Sequence, residues 1–244
     1  MKTLVIIPSR LSASRLPGKP LLKINGLSII SHVYKKALEA DVGEVFVAAE
    51  DQEIVEDVRK NGGEAILTSN NHKSGTDRIY EALVKLDKTD VELVMNLQGD
   101  EPLMNIEDIK NLKSNMIKTK LDLGTLAAKI NNKKVFENQD IVKVITEESL
   151  DDTKFPRAIN FMRKLNKENN QAYHHLGIYC YNVEMLKRFI SFKQSQNEIK
   201  NRLEQLRALD NNIEINVGLA KSSPIGVDTK EDFMAIKKIM EYKS

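Results

Sequence analysis

The chain alternates short β-branched apolar runs with stretches of helical periodicity through its first half, and this rhythm constrains its fold more than any other feature. Leu4–Ile7, Glu44–Ala49, Ala65–Leu67 and Val91–Leu97 read as strands, because runs this short and continuous suit strands covered on both faces. Between them, Ile29, Ile30, Val33 and Ala37 mark one face of a helix from about Ser28. Ile54, Val55 and Val58 mark a second, which Asp51 can cap and Gly62-Gly63 ends. Ile79, Ala82, Leu83 and Leu86 mark a third, behind Ser74 with Asp77 three residues on, a capping-box-like start. Strand, helix, strand in this order predicts parallel βαβ units and an α/β fold on a mostly parallel sheet. Such sheets take ligands at the carboxyl ends of their strands.

The loop after the first strand, Pro8 to Leu21, carries Arg10, Arg15 and Lys19 with three serines and a Pro-Gly pair. Its prolines exclude a continuous helix. Two planar guanidinium forks and one point charge can converge on a polyanion. Gly18-Lys19 runs into Pro20 with no Ser or Thr to hold a metal, so this is not a Walker loop.

Later, Ile106–Met116 predicts a helix, and Leu123–Ile130, Ile141–Ile145, His174–Tyr181 and Ile213–Val217 predict strands. Residues 151–171 are polar and helix-poor, with a hydrophilic loop over 164–171. Here the clean alternation stops, which predicts a lobe of antiparallel character over about 151–212 within a single domain. Ile199, Leu203 and Leu206 predict one helix face, and Phe233, Ile236 and Ile239 another in the final helix.

Lys and Arg number 37 against 35 Asp and Glu, so bulk charge excludes a general nucleic-acid role. The single Cys180 excludes an internal disulfide and fits a reducing compartment; its apolar neighbours predict a buried strand thiol. The first apolar run is too short for a signal peptide, and no stretch reaches the ~20 apolar residues of a membrane span. A cytoplasmic protein with no membrane insertion is expected.

Six strings, in order, carry a resemblance. R-x-x-x-x-R-x-P-G-K-P-L over 10–21 resembles the signature loop of sugar nucleotidyltransferases, which wraps the triphosphate of the incoming nucleotide. His72 to Arg78, H-x-S-G-T-D-R, resembles the base-recognition segment of cytidylyltransferases that activate Kdo, the eight-carbon acid sugar of bacterial lipopolysaccharide. Q-G-D-E-P over 98–102, H-H-L-G-I-Y over 174–179, L-E-Q-L-R over 203–207 and G-V-D-T-x-E-D over 226–232 are similar to further motifs of that family. The resemblance implies a three-layer, Rossmann-like nucleotidyltransferase sheet with a small antiparallel extension. It also implies a homodimer.

By the same resemblance the nucleotide falls to Pro8, Ser9, Arg10, Ser14, Arg15, Lys19, Ser74, Gly75, Arg78 and Gln98. Asp100 and Asp228 would hold Mg²⁺, and Arg10, Lys19, Asp100 and Asp228 would carry catalysis. The sugar would fall to Gln98, Arg157, His175, Tyr179, Glu204 and Gln205. Glu101 reads only as structural. Pro156 and Asn160 stand where the family has Ser and Pro, so Kdo, its 8-amino-3,8-dideoxy form and a sialic-acid-like sugar all stay open. The implied reaction joins CMP from CTP to the sugar's anomeric hydroxyl with release of pyrophosphate. The alternative of a different class is a non-catalytic nucleotide-binding protein.

Overall fold

A computed structural model describes residues 1–12, 15–130, 136–152, 154–165 and 171–242. They form two compact units, Met1–Ile109 with Pro224–Ser244, and Lys110–Ser223.

The first unit is the parallel framework predicted by the strand–helix rhythm. Strands β1 (Lys2–Ser9), β4 (Glu44–Ala49), β5 (Ala65–Leu67) and β6 (Val91–Asn96) lie in the order β6-β1-β4-β5, every neighbour parallel. Leu4 to Ile7 in the central β1 are fully buried, as a strand covered on both faces requires. Helix α1 (Ile29–Glu39) packs on β4, α2 (Gln52–Lys60) on β4 and β5, and α3 (Gly75–Leu86) on β1. A small hairpin, β2 (Lys23–Ile24) with β3 (Leu27–Ser28), precedes α1. Its turn is Asn25-Gly26, both at positive φ, the pairing that a two-residue hairpin favours. The final helix, α8 (Lys230–Tyr242), differs from expectation. Ile236 is buried but Ile239 is 41% exposed; Phe233 and Met240 pack with Ile24, Ile29 and Val227 instead. A stripe through 233, 236 and 240 keeps the helical i+3/i+4 spacing, and residue 239 falls on its edge.

Helix α4 (Ile106–Thr119) leads in sequence into the second unit, which is mixed. β11 (Asn216–Leu219) pairs parallel with β7 (Leu123–Ala128), which pairs antiparallel with β10 (Ala172–Asn182). β8 (Lys143–Thr146) adds to β10, and β9 (Ala158–Met162) to β8, both antiparallel. An antiparallel extension is present as expected; β9 and β10 fall within the 151–212 over which a lobe was expected, and β7, β8 and β11 fall outside it. β9 itself was not predicted: Asn160 interrupts its short apolar run, within the polar stretch 151–171. The hydrophilic loop over 164–171 falls mostly outside the described residues. Cys180 is fully buried in β10, and burial pushes its thiol up to about 12, so it is inert.

After α5 (Val183–Ser191), the helix expected through 199, 203 and 206 is two short ones, α6 (Gln196–Asn201) and α7 (Leu206–Asp210). Arg202, in a left-handed conformation at φ 53°, ends the first, and Ile199 is exposed. Both carboxylate oxygens of Glu198 accept from Arg207, at 2.6 and 2.8 Å, and this buried pair joins the two helices. Glu204 and Gln205 therefore sit in the turn between helices and not along one.

Candidate active site

The first unit holds a cleft of about 340 Å³ at the carboxyl ends of its strands. The loop leaving β1 is folded back on itself, with Gly18 N–H donating to Leu11 O at 3.0 Å. Gly18 takes a left-handed φ of 72°, which starts a single 3₁₀ turn, Lys19–Leu21. That turn carries Lys19 into the cleft.

Lys19 Nζ there meets both aspartates. It is ion-paired with Asp100, donates to Asp228 Oδ1 at 3.2 Å and to Val227 O at 3.0 Å. Burial alone would lower the ammonium's pKa; Asp100, then Asp228, outweigh it and hold it above its ordinary value. Two backbone devices bring the distant motifs together. Gly99 lets the turn after β6 lie on the end of β1, where a Cβ would stand 2.9 Å from Pro8 O. Val227 N–H then donates to Asp100 O at 2.9 Å, which seats the later motif against the earlier one.

Asp228 stands just before the final helix, where an Asp side chain can cap, yet it does not cap it. Thr229 Oγ1 accepts from Asp232 N–H while Asp232 Oδ2 accepts from Thr229 N–H, a reciprocal box that leaves Asp228 to Lys19 and to Arg15 at 2.9 Å. Likewise Asp51 precedes α2 without a side-chain cap; its carboxylate accepts from Leu11 N–H in the loop at 2.7 Å. Ser74 does cap α3, accepting from Asp77 N–H.

Pro8, Ser9, Arg10, Arg15, Lys19, Ser74, Gly75, Arg78, Gln98, Asp100 and Asp228 all line this one cleft. Ser14 lies outside the described residues. Arg78 is neither solvated nor open-handed: it is 3% exposed and bound to Glu50, Thr68 Oγ1 and Ser69 O. The cleft is short of internal partners. Ser9 Oγ is buried without a hydrogen bond, and Arg10, exposed, makes no ion pair among the described residues. Gly75 has no positive φ, and a Cβ there would meet only Pro8 at 3.5 Å. The packing therefore tolerates a side chain at 75, and the space it leaves faces the cleft. With five cationic side chains, Arg10, Arg15, Lys19, Lys73 and Arg78, against two carboxylates, the lining suits a polyanion.

The donor set around Lys19 fits a hard divalent cation. Two carboxylates converge on one ammonium, with no imidazole or thiolate in contact with it. Among the described residues no group of three or more His, Cys, Asp or Glu could cage a metal. Two carboxylates with the rest of the shell left to phosphate oxygens and water is the pattern Mg²⁺ prefers.

Four residues near the cleft were missed or undervalued. Glu101 Oε2 is buried with no hydrogen-bond partner among the described residues; burial, then Asp100 and Asp228, push its carboxyl up to about 8. Glu50 and Asp51 follow β4 and bind the loop. His72 lines the cleft and pairs with Glu81, which Lys85, His72 and Ser69 N–H pull down to about 2 against the effect of burial. Glu50-Asp51 offered a strand-end position as a signal, and His72 and Glu101 stood inside two of the quoted motifs.

Of the residues expected at the sugar, Gln98 lines the cleft of the first unit, and Arg157, His175, Tyr179, Glu204 and Gln205 belong to the second unit. His175 Nε2 lies 3.0 Å from Thr125 Oγ1, its ring edge-on to Phe161 and 5.4 Å from Tyr179. Burial, then His174, hold it down to about 3, so it is neutral. Tyr179 Oη is buried without a hydrogen bond, and burial, Tyr181 and Glu204 raise it well above its ordinary value. Arg157 is half-exposed and paired with Glu214 at 2.7 Å.

Known proteins resemble this chain in sequence and fold. The family described as Cytidylyltransferase matches residues 4–215. The chain is 42% identical to the 3-deoxy-manno-octulosonate cytidylyltransferase of Afipia carboxidovorans over 240 residues, 98% of this chain and 96% of that one. It is also 42% identical to the protein of that name from Thermodesulfovibrio yellowstonii, with 98% of each chain covered. A solved structure of CMP:2-keto-3-deoxy-manno-octonic acid synthetase complexed with CTP superposes with a TM-score of 0.88 at 34% identity, over the whole of both chains. An apo UDP-glucose pyrophosphorylase, 12% identical with a TM-score of 0.72, shares the α/β nucleotidyltransferase fold alone. The chain belongs to the cytidylyltransferase family, among the 3-deoxy-manno-octulosonate cytidylyltransferases.

Proposed function

We propose that the protein transfers CMP from CTP to the anomeric hydroxyl of Kdo, giving CMP-Kdo and pyrophosphate for lipopolysaccharide synthesis. The observation that carries this reading is the meeting of Asp100 and Asp228 on Lys19 inside a cation-lined cleft.

Arg10, Arg15 and Lys19 bind the triphosphate, and Arg10 makes no ion pair among the described residues. The cytidine lies against Ser74 and Gly75 at the N-terminus of α3, where backbone N–H groups and the helix dipole favour a ligand's oxygens. Gln98 stands between nucleotide and sugar. The sugar's C2 hydroxyl attacks the α-phosphorus in line; the new O–P bond forms as the bond to the β-phosphate oxygen breaks. Phosphoryl transfer of this kind depends on positioning and charge neutralisation more than on a protein nucleophile. Mg²⁺ held by Asp100 and Asp228 would supply Lewis-acid neutralisation and lower the pKa of the attacking hydroxyl. Arg157, His175, Tyr179, Glu204 and Gln205 hold the acid sugar. His175 does so as a neutral ring, and Tyr179 offers a hydroxyl that has no hydrogen-bond partner among the described residues.

The names of the relatives support Kdo over its 8-amino form. The lone buried Cys180 supports a reducing, cytoplasmic setting, and among the described residues no helix is long and apolar enough to cross a membrane. A homodimer rests on the family resemblance. The test is CTP-dependent pyrophosphate release over a panel of acid sugars. Release with Kdo is expected, and CTP binding without release from any sugar refutes the reading. Asp100→Ala should lower turnover by about 100-fold or more; near-normal turnover at low Mg²⁺ would reject the metal assignment.

A further inference from the structure

The signature loop and the start of α3 come from separate stretches of chain, and one carboxylate grips both. Glu50 Oε1 accepts from Ser12 Oγ at 3.0 Å, and Glu50 Oε2 accepts from Arg78 Nη2 at 2.5 Å. The backbone reinforces the grip. Glu50 N–H donates to Ser9 O at 3.2 Å, and Asp51 takes Leu11 N–H. Both terminal nitrogens of Arg78 are engaged: Nη1 donates to Thr68 Oγ1 at 2.6 Å and to Ser69 O at 3.1 Å, and Nη2 to Glu50.

A near-buried ion pair contributes little net stability compared with an apolar pair of similar volume. Stability alone therefore gives little reason for this carboxylate. Its charge also runs against the cleft, whose cations suit a polyanion. Geometry supplies the reason: the pair fixes the distance between the loop and the helix start.

We infer that Glu50 is a positioning residue for the nucleotide, acting through Ser12 and Arg78 to hold the signature loop and the N-terminus of α3 at one fixed spacing. This rests on the reading of the cleft as a CTP site. Two roles for Glu50 predict effects of opposite sign. As a nearby negative charge, Glu50 repels CTP, and its removal tightens binding. As a positioning residue it pre-organises the site, and its removal weakens binding.

The experiment compares wild type, Glu50→Gln, Ser12→Ala and the double variant by CTP calorimetry and by steady-state pyrophosphate release. Glu50→Gln keeps shape and volume but removes the counter-charge of the buried Arg78, so its thermal unfolding is measured alongside; Ser12→Ala cuts one arm at an exposed site and leaves folding intact. Glu50→Gln should raise KM for CTP about tenfold with kcat within about twofold, the size expected for one lost charge-assisted hydrogen bond. Ser12→Ala should shift KM the same way by a smaller factor, and the double variant should be no worse than Glu50→Gln. If wild type takes up no CTP, the reading of the cleft fails. If wild type binds CTP while Glu50→Gln binds it equally or more tightly, or loses only thermal stability, the positioning role is overturned.

Discussion

Lys19 stands where two carboxylates converge, so replacing it tests the centre of the site without touching either acid. In Lys19→Met the aliphatic stem keeps its packing while Asp100 and Asp228 lose their shared cation. One ion pair at about 4 Å is worth ~4 kcal/mol at an effective dielectric of 20, before the desolvation of the ammonium is subtracted. Breaking a fully buried pair costs ~3–5 kcal/mol. Here Lys19 is 15% exposed but Asp228 is 42% exposed, so solvent screens the second contact and ~2 kcal/mol is the expected loss. For a chain of this length that corresponds to a Tm lower by ~4–8 °C. The two facing carboxylates should then recruit a divalent cation from solution, with stabilisation of ~2.7 kcal/mol once Mg²⁺ reaches a hundred times its Kd. The assay is thermal unfolding of the nucleotide-free protein with and without Mg²⁺. Wild type should respond weakly, because Lys19 already neutralises the pair; Lys19→Met should unfold earlier and recover with Mg²⁺. A variant as stable as wild type and indifferent to Mg²⁺ would show that the two aspartates do not share a cation.

Two further outcomes follow from groups that the fold has displaced from ordinary behaviour. His175 is held at about 3 against an ordinary 6.5, so between those values the unfolded chain binds the extra proton. Stability is then complete above pH 6.5 and declines as pH falls towards 3, by on the order of 5 kcal/mol; denaturant titrations of His175→Gln should show a shallower acid slope, and an unchanged slope would clear His175 of the effect. Gly75→Ala adds a Cβ in ordinary contact with Pro8, so thermal stability should hold within ~1 kcal/mol while CTP affinity measured by calorimetry falls. Unchanged affinity would remove the start of α3 from the nucleotide site.

The parallel framework was legible because its strands are apolar throughout and its helices keep a clean 3.6-residue stripe, two signals that survive without knowledge of partners. The loop around Arg10, Arg15 and Lys19 was legible as an anion loop because its prolines and Gly18 exclude regular structure. The second unit was less so. β9 places Asn160 where an apolar residue would have announced a strand. The break at Arg202 was hidden because Ile199, Leu203 and Leu206 keep helical spacing across two separate helices. The Asn25-Gly26 hairpin carried an available signal that was passed over.

Carboxylates were the hardest residues to assign, and the reason is physical. Asp51 and Asp228 each sit where a local rule predicts a helix cap, and each is drawn instead to a partner distant in sequence, Leu11 N–H for one and Lys19 for the other. The chain resolves the two conflicts differently. At α8 the capping passes to Thr229 and Asp232, so Asp228 is released without leaving the helix bare. At α2 no side chain takes over, and the helix begins without the ~1 kcal/mol that a cap contributes. α1, α3, α5 and α6 all begin on a capping side chain. A departure from local consistency, placed beside the cleft and joined to its loop, is where selection for a site should override selection for stability. By that argument Asp51 belongs with Glu50 in holding the loop, and its carboxylate shapes the cleft more than it supports its own helix.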